Sequence, residues 1–183
     1  MHPEILSLSL FMFVTSCSPG PNNVVASHSG FNHGIKKSIP LMLGVIFGFT
    51  TMLALVNFGL INIFNIYPII QKILIGTGTL FLIYLSYKIS FSKSSNENES
   101  LKPVNFVETF LFQFLNPKGV IVAIIAVSTY TESGKNFINY SLWMLGIAFL
   151  FAIISISFWT FLGKFMRKFA TNEKFIKTFN YVM

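Results

Sequence analysis

Apolar runs alternate with short polar segments along the whole chain, and each run approaches the length of a membrane-spanning helix. A helix needs about 20 residues to cross a hydrocarbon core of about 30 Å. Five runs come close to that length, at residues 5–26, 39–63, 69–89, 106–128 and 140–162. A sixth run begins at Phe179, shortly before the last residue, Met183. The pattern predicts an all-α membrane protein with five full transmembrane helices and the start of a sixth.

Proline interrupts two of these runs, the first and the fourth. The first break is Ser18-Pro19-Gly20-Pro21-Asn22-Asn23, and the second is Asn116-Pro117-Lys118. Proline removes a backbone donor and clashes with the preceding turn of a helix. Non-helical backbone at membrane depth is tolerated where it is buried in protein or lines a wet cavity. We therefore expect the breaks to form a path or a binding site, with a structural kink as the alternative.

A polar segment divides the chain into two halves that each begin with a broken span. The first half is residues 1–89, the cytoplasmic linker is residues 90–105, and the second half is residues 106–183. Interrupted spans at corresponding positions of two halves are typical of the binding site of a secondary transporter. Three spans in each half would place the halves in opposite orientations. We therefore predict an inverted 3+3 repeat whose second repeat is incomplete.

Composition and charge agree with a multi-pass protein of the cell inner membrane, in contact with the lipid bilayer. Hydrophobic residues make up 53% of the chain and charged residues 10%, whereas about a quarter of the residues are charged in soluble domains. The net charge is +7, but ten of the thirteen Lys and Arg residues follow the first, third and fifth spans. This bias predicts cytoplasmic loops at those positions and an N-terminus outside, rather than a nucleic-acid partner.

Several chemistries lack the residues that they need. The single cysteine, Cys17, excludes a carrier that shuttles electrons through a dithiol. Three histidines without a cysteine cluster make a metal site improbable. The chain has no phosphate-binding glycine loop and no Ser–His–acid arrangement. We therefore predict no enzyme activity and no cofactor.

The candidate substrate-binding residues lie at and beside the two breaks. Half-helix N-termini present unpaired donors and partial positive charge, which suit a carboxylate. Amide side chains offer donors and acceptors together, and Lys118 is the one Lys or Arg deep within an apolar run. A lysine that reaches the interface is the alternative for Lys118. The full set is Pro19, Gly20, Pro21, Asn22, Asn23, Gln113, Asn116, Pro117 and Lys118.

Two further patterns favour structural roles. His28 and His33 flank the segment between the first two spans, and a solvated loop is favoured there over a pH sensor. Gly44 and Gly48 form a G-x-x-x-G pair, a spacing that lets two helices approach closely. Packing between helices of one chain is the expected role of this pair, and a homodimer face is the alternative.

Several of these stretches resemble the LysE/RhtB superfamily of lysine exporters and homoserine/threonine efflux proteins. They are the first break, Gly34 with Lys36 and Lys37, residues 43–48, Gly76, residues 84–88 and residues 112–118. They occur in order between residues 18 and 118. Within the superfamily, the sequence is most similar to the branch of cysteine and O-acetylserine exporters.

The resemblance implies a six-helix carrier that exports amino acids using the proton gradient, with both breaks lining a central cavity. Two features depart from the family pattern. Asn22 stands where many members have aspartate, and the sequence ends near the start of the sixth span. We therefore predict a secondary exporter of small amino acids, with protons as the coupling ion. A passive channel subunit and a truncated, non-transporting protein are the alternatives.

Overall fold

The computed structural model describes residues 4–60, 104–131 and 134–169, together with single residues and pairs between 66 and 87. The described residues form helices joined by turns. The helices are α1 Ile5–Cys17, α2 Pro21–Leu55 with a π-helical end Val56–Leu60, α3 Phe106–Leu115, α4 Pro117–Tyr130 and α5 Phe137–Arg167. Most of the predicted third span and linker, and the start of the sixth span, lie outside the described residues.

Helix α2 is a hairpin of two helical arms, residues 21–33 and 35–55. Gly34 lies between them with φ 76° and ψ 174°, a backbone conformation that no helix contains. The hydroxyl oxygens of Ser29 and Ser38 are 2.7 Å apart, although a straight helix would separate these residues by about 13 Å. The chain therefore reverses direction at Gly34, and the two arms lie side by side.

The prediction of a solvated loop between the first two spans is wrong for most of that segment. Both sides of Gly34 are helical, and Ser27, Ser29 and Ser38 are buried. His28 is half-buried, and its Nε2 atom lies out of reach of solvent. The helix continues because α5 packs against it so closely that a Cβ on Gly163 would collide with the Ser27 carbonyl oxygen.

Arg167, at the end of α5, closes the first arm of the hairpin. Its Nη1 atom donates to the carbonyl oxygens of Phe31 and Asn32, at 3.0 and 2.7 Å. These are among the carbonyls that a helix leaves unpaired at its C-terminus. A cation placed there also interacts favourably with the helix dipole. Arg167 therefore stabilises the turn as well as the packing of α5 against α2.

The second break produces two helices, as the sequence predicts. Asn105 and Glu108 form a reciprocal capping box that starts α3. Asn116 then ends α3 and caps α4, while Pro117 occupies the first helical position of α4. Proline is favoured at this position because the missing N–H would have no helical partner. The axes of α3 and α4 differ by 62°.

Two of the described helices are long and apolar enough to cross a membrane. They are α5 and the stretch Pro21–Gly59. Because this stretch reverses at Gly34, its second arm, residues 35–55, is the part that can cross. The bent pair α3 and α4 would be a third span if the two helices cross together. Helix α1 is a shorter apolar helix of 13 residues. The described residues thus form an all-helical membrane protein, while the number of complete spans and the repeat remain predictions.

The G-x-x-x-G pair packs two helices of the same chain together. A Cβ on Gly44 would collide with Thr109, and one on Gly48 would approach the Gln113 side chain and the Phe110 backbone. The second arm of α2 therefore packs directly against α3, and the predicted packing role is confirmed. This contact fixes the position of α3, and hence of the second break, relative to α2.

Candidate functional site

The two breaks meet inside the protein, and Lys118 joins them. Its Nζ atom donates to the carbonyl and hydroxyl oxygens of Ser18, both at 2.8 Å, and lies 3.5 Å from the carbonyl oxygen of Pro19. A side chain from the first turn of α4 therefore caps the C-terminal end of α1. The sequence prediction that the breaks lie together is confirmed.

Gly20 makes room for this contact. A Cβ at Gly20 would lie 2.8 Å from Cδ and 3.0 Å from Nζ of Lys118. The backbone of Gly20 is extended, at φ −171° and ψ 175°, so other residues could adopt its conformation. The need for glycine here is therefore one of space along the Lys118 side chain.

Asn23 satisfies the carbonyl groups that the first break leaves without helical partners. Its Nδ2 atom donates to the carbonyl oxygens of Ser16 and Ser18, at 2.8 and 2.9 Å. Ser155 of α5 donates to the Ser16 carbonyl at 2.7 Å and lies 3.3 Å from Oδ1 of Asn23. Trp159 donates to the Cys17 carbonyl at 3.2 Å. Both amide hydrogens of Asn23 are thus committed to the backbone.

Asn22 and Gln113 form a reciprocal pair of side-chain amides across the two halves of the chain. Each amide donates to the oxygen of the other, at 2.8 and 3.0 Å. The Gln113 Nε2 atom also donates to the Thr109 carbonyl at 2.9 Å. Gln113 is fully buried, whereas Asn22 is half-buried. Gln113 therefore orients Asn22 from behind.

Two helix N-termini reach the same space. Pro21 begins α2 and Pro117 begins α4, and each follows a residue in extended conformation. Asn116 caps α4 through a long contact of 3.5 Å to the Gly119 amide, whereas the N-cap of α2, Gly20, has no side-chain cap. The first-turn amides of a helix have no partner within it. Both helix ends therefore offer donors and partial positive charge.

A cavity with an empty volume of about 510 Å³, which includes the space at its mouth, lies between these groups. Its polar side is formed by the two breaks. Its apolar wall comes from α2, α4 and α5, at Val45, Phe49, Val122, Ala152 and Ile156. Apolar lining with a few convergent polar groups is characteristic of small-molecule sites.

Most, but not all, of the candidate substrate-binding residues line the cavity. Six line it, namely Gly20, Pro21, Asn22, Asn23, Asn116 and Lys118. Pro19, Gln113 and Pro117 lie at or directly behind the same breaks and are not among the lining residues. The sequence prediction omitted Thr15, Ser16 and Ser155, which also line the cavity. Ser155 is a polar residue within an apolar run, and this weak signal in the sequence could have identified it as a candidate.

Comparison with known proteins agrees with these motifs. Residues 13–183 match the family described as LysE type translocator. A cysteine/O-acetylserine efflux protein of Salmonella typhimurium is 32% identical over 155 residues, which are 84% of this chain and 78% of the relative. The protein of that name from Escherichia coli K12 is 28% identical over the same shares. No solved structure shows significant similarity. The resemblance found in the motifs is confirmed, and the chain belongs to the LysE-type translocator family.

Proposed function

We propose that the protein exports a small neutral amino acid, such as cysteine or O-acetylserine, across the cytoplasmic membrane. The observation that carries this proposal is the cavity enclosed by two proline-initiated helix ends, with Lys118 between them. The names of the relatives support the substrate class. The short, uncharged side chains of these two amino acids suit the apolar wall opposite the breaks.

The polar side of the cavity matches an amino-acid zwitterion. A carboxylate is favoured near the first turns of α2 and α4 and near the Lys118 ammonium. Asn22 adds an oriented amide at the cavity surface. Among the described lining residues, Lys118 is the one ionisable group, so a substrate with a positively charged side chain would find no carboxylate to pair with. We expect lysine and arginine to be poor substrates.

The proton gradient is the proposed source of energy. One proton that moves down about 150 mV releases roughly 3.5 kcal/mol, which would support an outward gradient of roughly 300-fold. The two halves would rock about the site to expose it alternately, as inverted-repeat carriers do. The proposed topology is five full spans and the start of a sixth, with the N-terminus outside and the arm-joining turn at Gly34 in the cytoplasm. Such a carrier needs no ATP and no cofactor.

Transport into inside-out vesicles tests the proposal directly. Vesicles that contain the full chain should accumulate L-cysteine with saturable kinetics, and an uncoupler should abolish the accumulation. Vesicles without the protein provide the background. Flux that does not saturate and ignores the uncoupler would indicate the channel alternative, and no flux above background would indicate the non-transporting one.

Lys118→Ala should reduce this accumulation to background, because the cavity would lose its one cation. Lys168→Ala is the matched control, since Lys168 is exposed just beyond α5 and its loss removes the same charge. Both variants should insert into the membrane at the level of the parent protein. Wild-type rates in Lys118→Ala would remove the lysine from the mechanism.

A further inference from the structure

The C-terminal end of α1 binds an ammonium group, and in this structure that group belongs to the side chain of Lys118. The Lys118 ammonium is surrounded by the Ser18 carbonyl, the Ser18 hydroxyl and the Pro19 carbonyl, and all three oxygens are uncharged. The C-terminus of a helix carries partial negative charge, which favours a cation there. A carboxylate would nevertheless be a stronger partner for Lys118 than these oxygens, because charge-assisted hydrogen bonds between two ions are the strong ones.

This contact can be reached from the cavity. The Lys118 side chain and Gly20 line the cavity, Pro19 is exposed, and Ser18 is half-buried. Lysine carries its charge on a flexible four-carbon stem, so the ammonium can move without a change in the backbone. A small solute in the cavity can therefore reach both sides of the contact once the ammonium moves aside.

We propose that the amino acid inserts itself between Lys118 and the end of α1. This inference rests on the export function proposed above and specifies how the substrate is recognised. The α-ammonium of the substrate takes the place of the lysine on the carbonyl oxygens of Ser18 and Pro19. The α-carboxylate of the substrate binds the displaced Lys118 ammonium. Every charge keeps a partner, so the swap avoids the penalty of an unpaired ion in a site of low dielectric.

Both charged groups of the substrate are therefore required at once. A solute with an ammonium alone would displace Lys118 and leave its charge without a partner. A solute with a carboxylate alone would attract Lys118 and leave the carbonyl oxygens vacant. Neither solute restores the full set of contacts, and both should bind more weakly than the zwitterion.

Binding measurements with three related thiols distinguish a zwitterion from a solute that has one charged group. They use the full chain in detergent. L-cysteine is the zwitterion, cysteamine has the ammonium alone, and N-acetyl-L-cysteine has the carboxylate alone. L-cysteine should bind about tenfold or more tightly than either of the others, since each lost contact involves an ion. Equal affinity for L-cysteine and cysteamine would overturn the inference.

Lys118→Met removes the cation and keeps most of the stem. The affinity for L-cysteine should fall about 10- to 100-fold, to that for cysteamine. Cysteamine should bind as tightly as to the parent protein, or more tightly, because the carbonyl oxygens are already free. Lys118→Arg retains a cation and should retain the preference for L-cysteine, while Lys168→Met controls for the loss of charge.

The outcomes also separate this inference from the export function. If Lys118→Met weakens the binding of L-cysteine and of cysteamine equally while its thermal unfolding matches the parent protein, Lys118 does not recognise the substrate carboxylate and the insertion is wrong. If the parent protein transports L-cysteine but shows no preference over cysteamine, the export function stands and the insertion fails. If the parent protein neither binds nor transports L-cysteine, both proposals fail.

Discussion

At the scale of single residues, the site depends on the close fit between Gly20 and Lys118. The lysine reaches the Ser18 carbonyl through space that a Cβ on Gly20 would crowd. The break around Gly20 therefore has two effects that could not be predicted from the positions of the prolines alone. It frees the carbonyl groups at the end of α1, and it leaves the space through which a cation from the other half of the chain reaches them.

Gly20→Ala should reduce transport by about tenfold while membrane insertion is preserved, because the added methyl group displaces Lys118. Gly146→Ala is the matched control, since a Cβ at Gly146 would meet nothing within 4 Å. The measurement is the initial rate of L-cysteine uptake into inside-out vesicles. Equal rates in the two variants would show that the lysine tolerates the methyl group and that its observed position is not required.

At the scale of elements, the α2 hairpin brings both of its arms to the cavity. Pro21 and Asn22 come from the start of the first arm, and Val45 and Phe49 come from the second. The reversal at Gly34 is what brings residues of both arms to one cavity. Because Ser29 and Ser38 share a hydrogen bond across the turn and Arg167 caps the first arm, the hairpin is held by polar contacts at its end.

Gly34→Ala should destabilise the hairpin by about 1–3 kcal/mol, because its backbone conformation is strained for any residue with a Cβ. Nothing within 4 Å would contact that Cβ, so the loss of stability would come from backbone strain and not from a steric collision. Gly146→Ala again serves as the control, and it should be neutral or stabilising by up to about 1 kcal/mol in an exposed helical position. The free energy of unfolding in mild detergent measures the difference. A Gly34→Ala protein as stable as the control would contradict the assigned turn.

The sequence predicted the elements of the second half better than those of the first. Proline and asparagine at 116–117 mark a helix end and a helix start by their own chemistry, so the second break was predictable. The helical continuation through residues 27–33 was not, because it depends on the distant partner α5 and its Gly163. Polar residues such as Ser27 and Ser29 predict a loop when no such partner is known.

The roles of individual side chains at the breaks were less predictable for the same reason. Asn23 lines the cavity, and the prediction that it contacts substrate stands, but the sequence did not show that its amide hydrogens bind the carbonyls of Ser16 and Ser18. Gln113 was expected in the cavity, but it lies behind Asn22. The residue types were sufficient to predict a polar site. Only the geometry shows which polar groups the protein itself uses.

At the scale of the whole molecule, both halves of the chain contribute to one cavity. Helices α1 and α2 supply one break, and α4 supplies the other, with α5 closing the side. Two apolar clusters follow one another along α5, one around Met144 and Ala148 and the other around Ala152 and Ile156, which also line the cavity. A solute at the junction would thus contact the two parts that are proposed to rock. This arrangement would allow substrate binding to influence the alternation.

The most direct test asks whether a substrate occupies the space between the breaks. In a Cys17→Ser background, Val122→Cys places the one thiol of the chain on the cavity wall, and Lys135→Cys places it on an exposed turn. The measurement is the rate at which a small, charged methanethiosulfonate reagent labels each thiol, with and without O-acetyl-L-serine. The account predicts that the ligand slows labelling at residue 122 and leaves residue 135 unchanged. Equal rates at residue 122 with and without a ligand that the protein transports would contradict it.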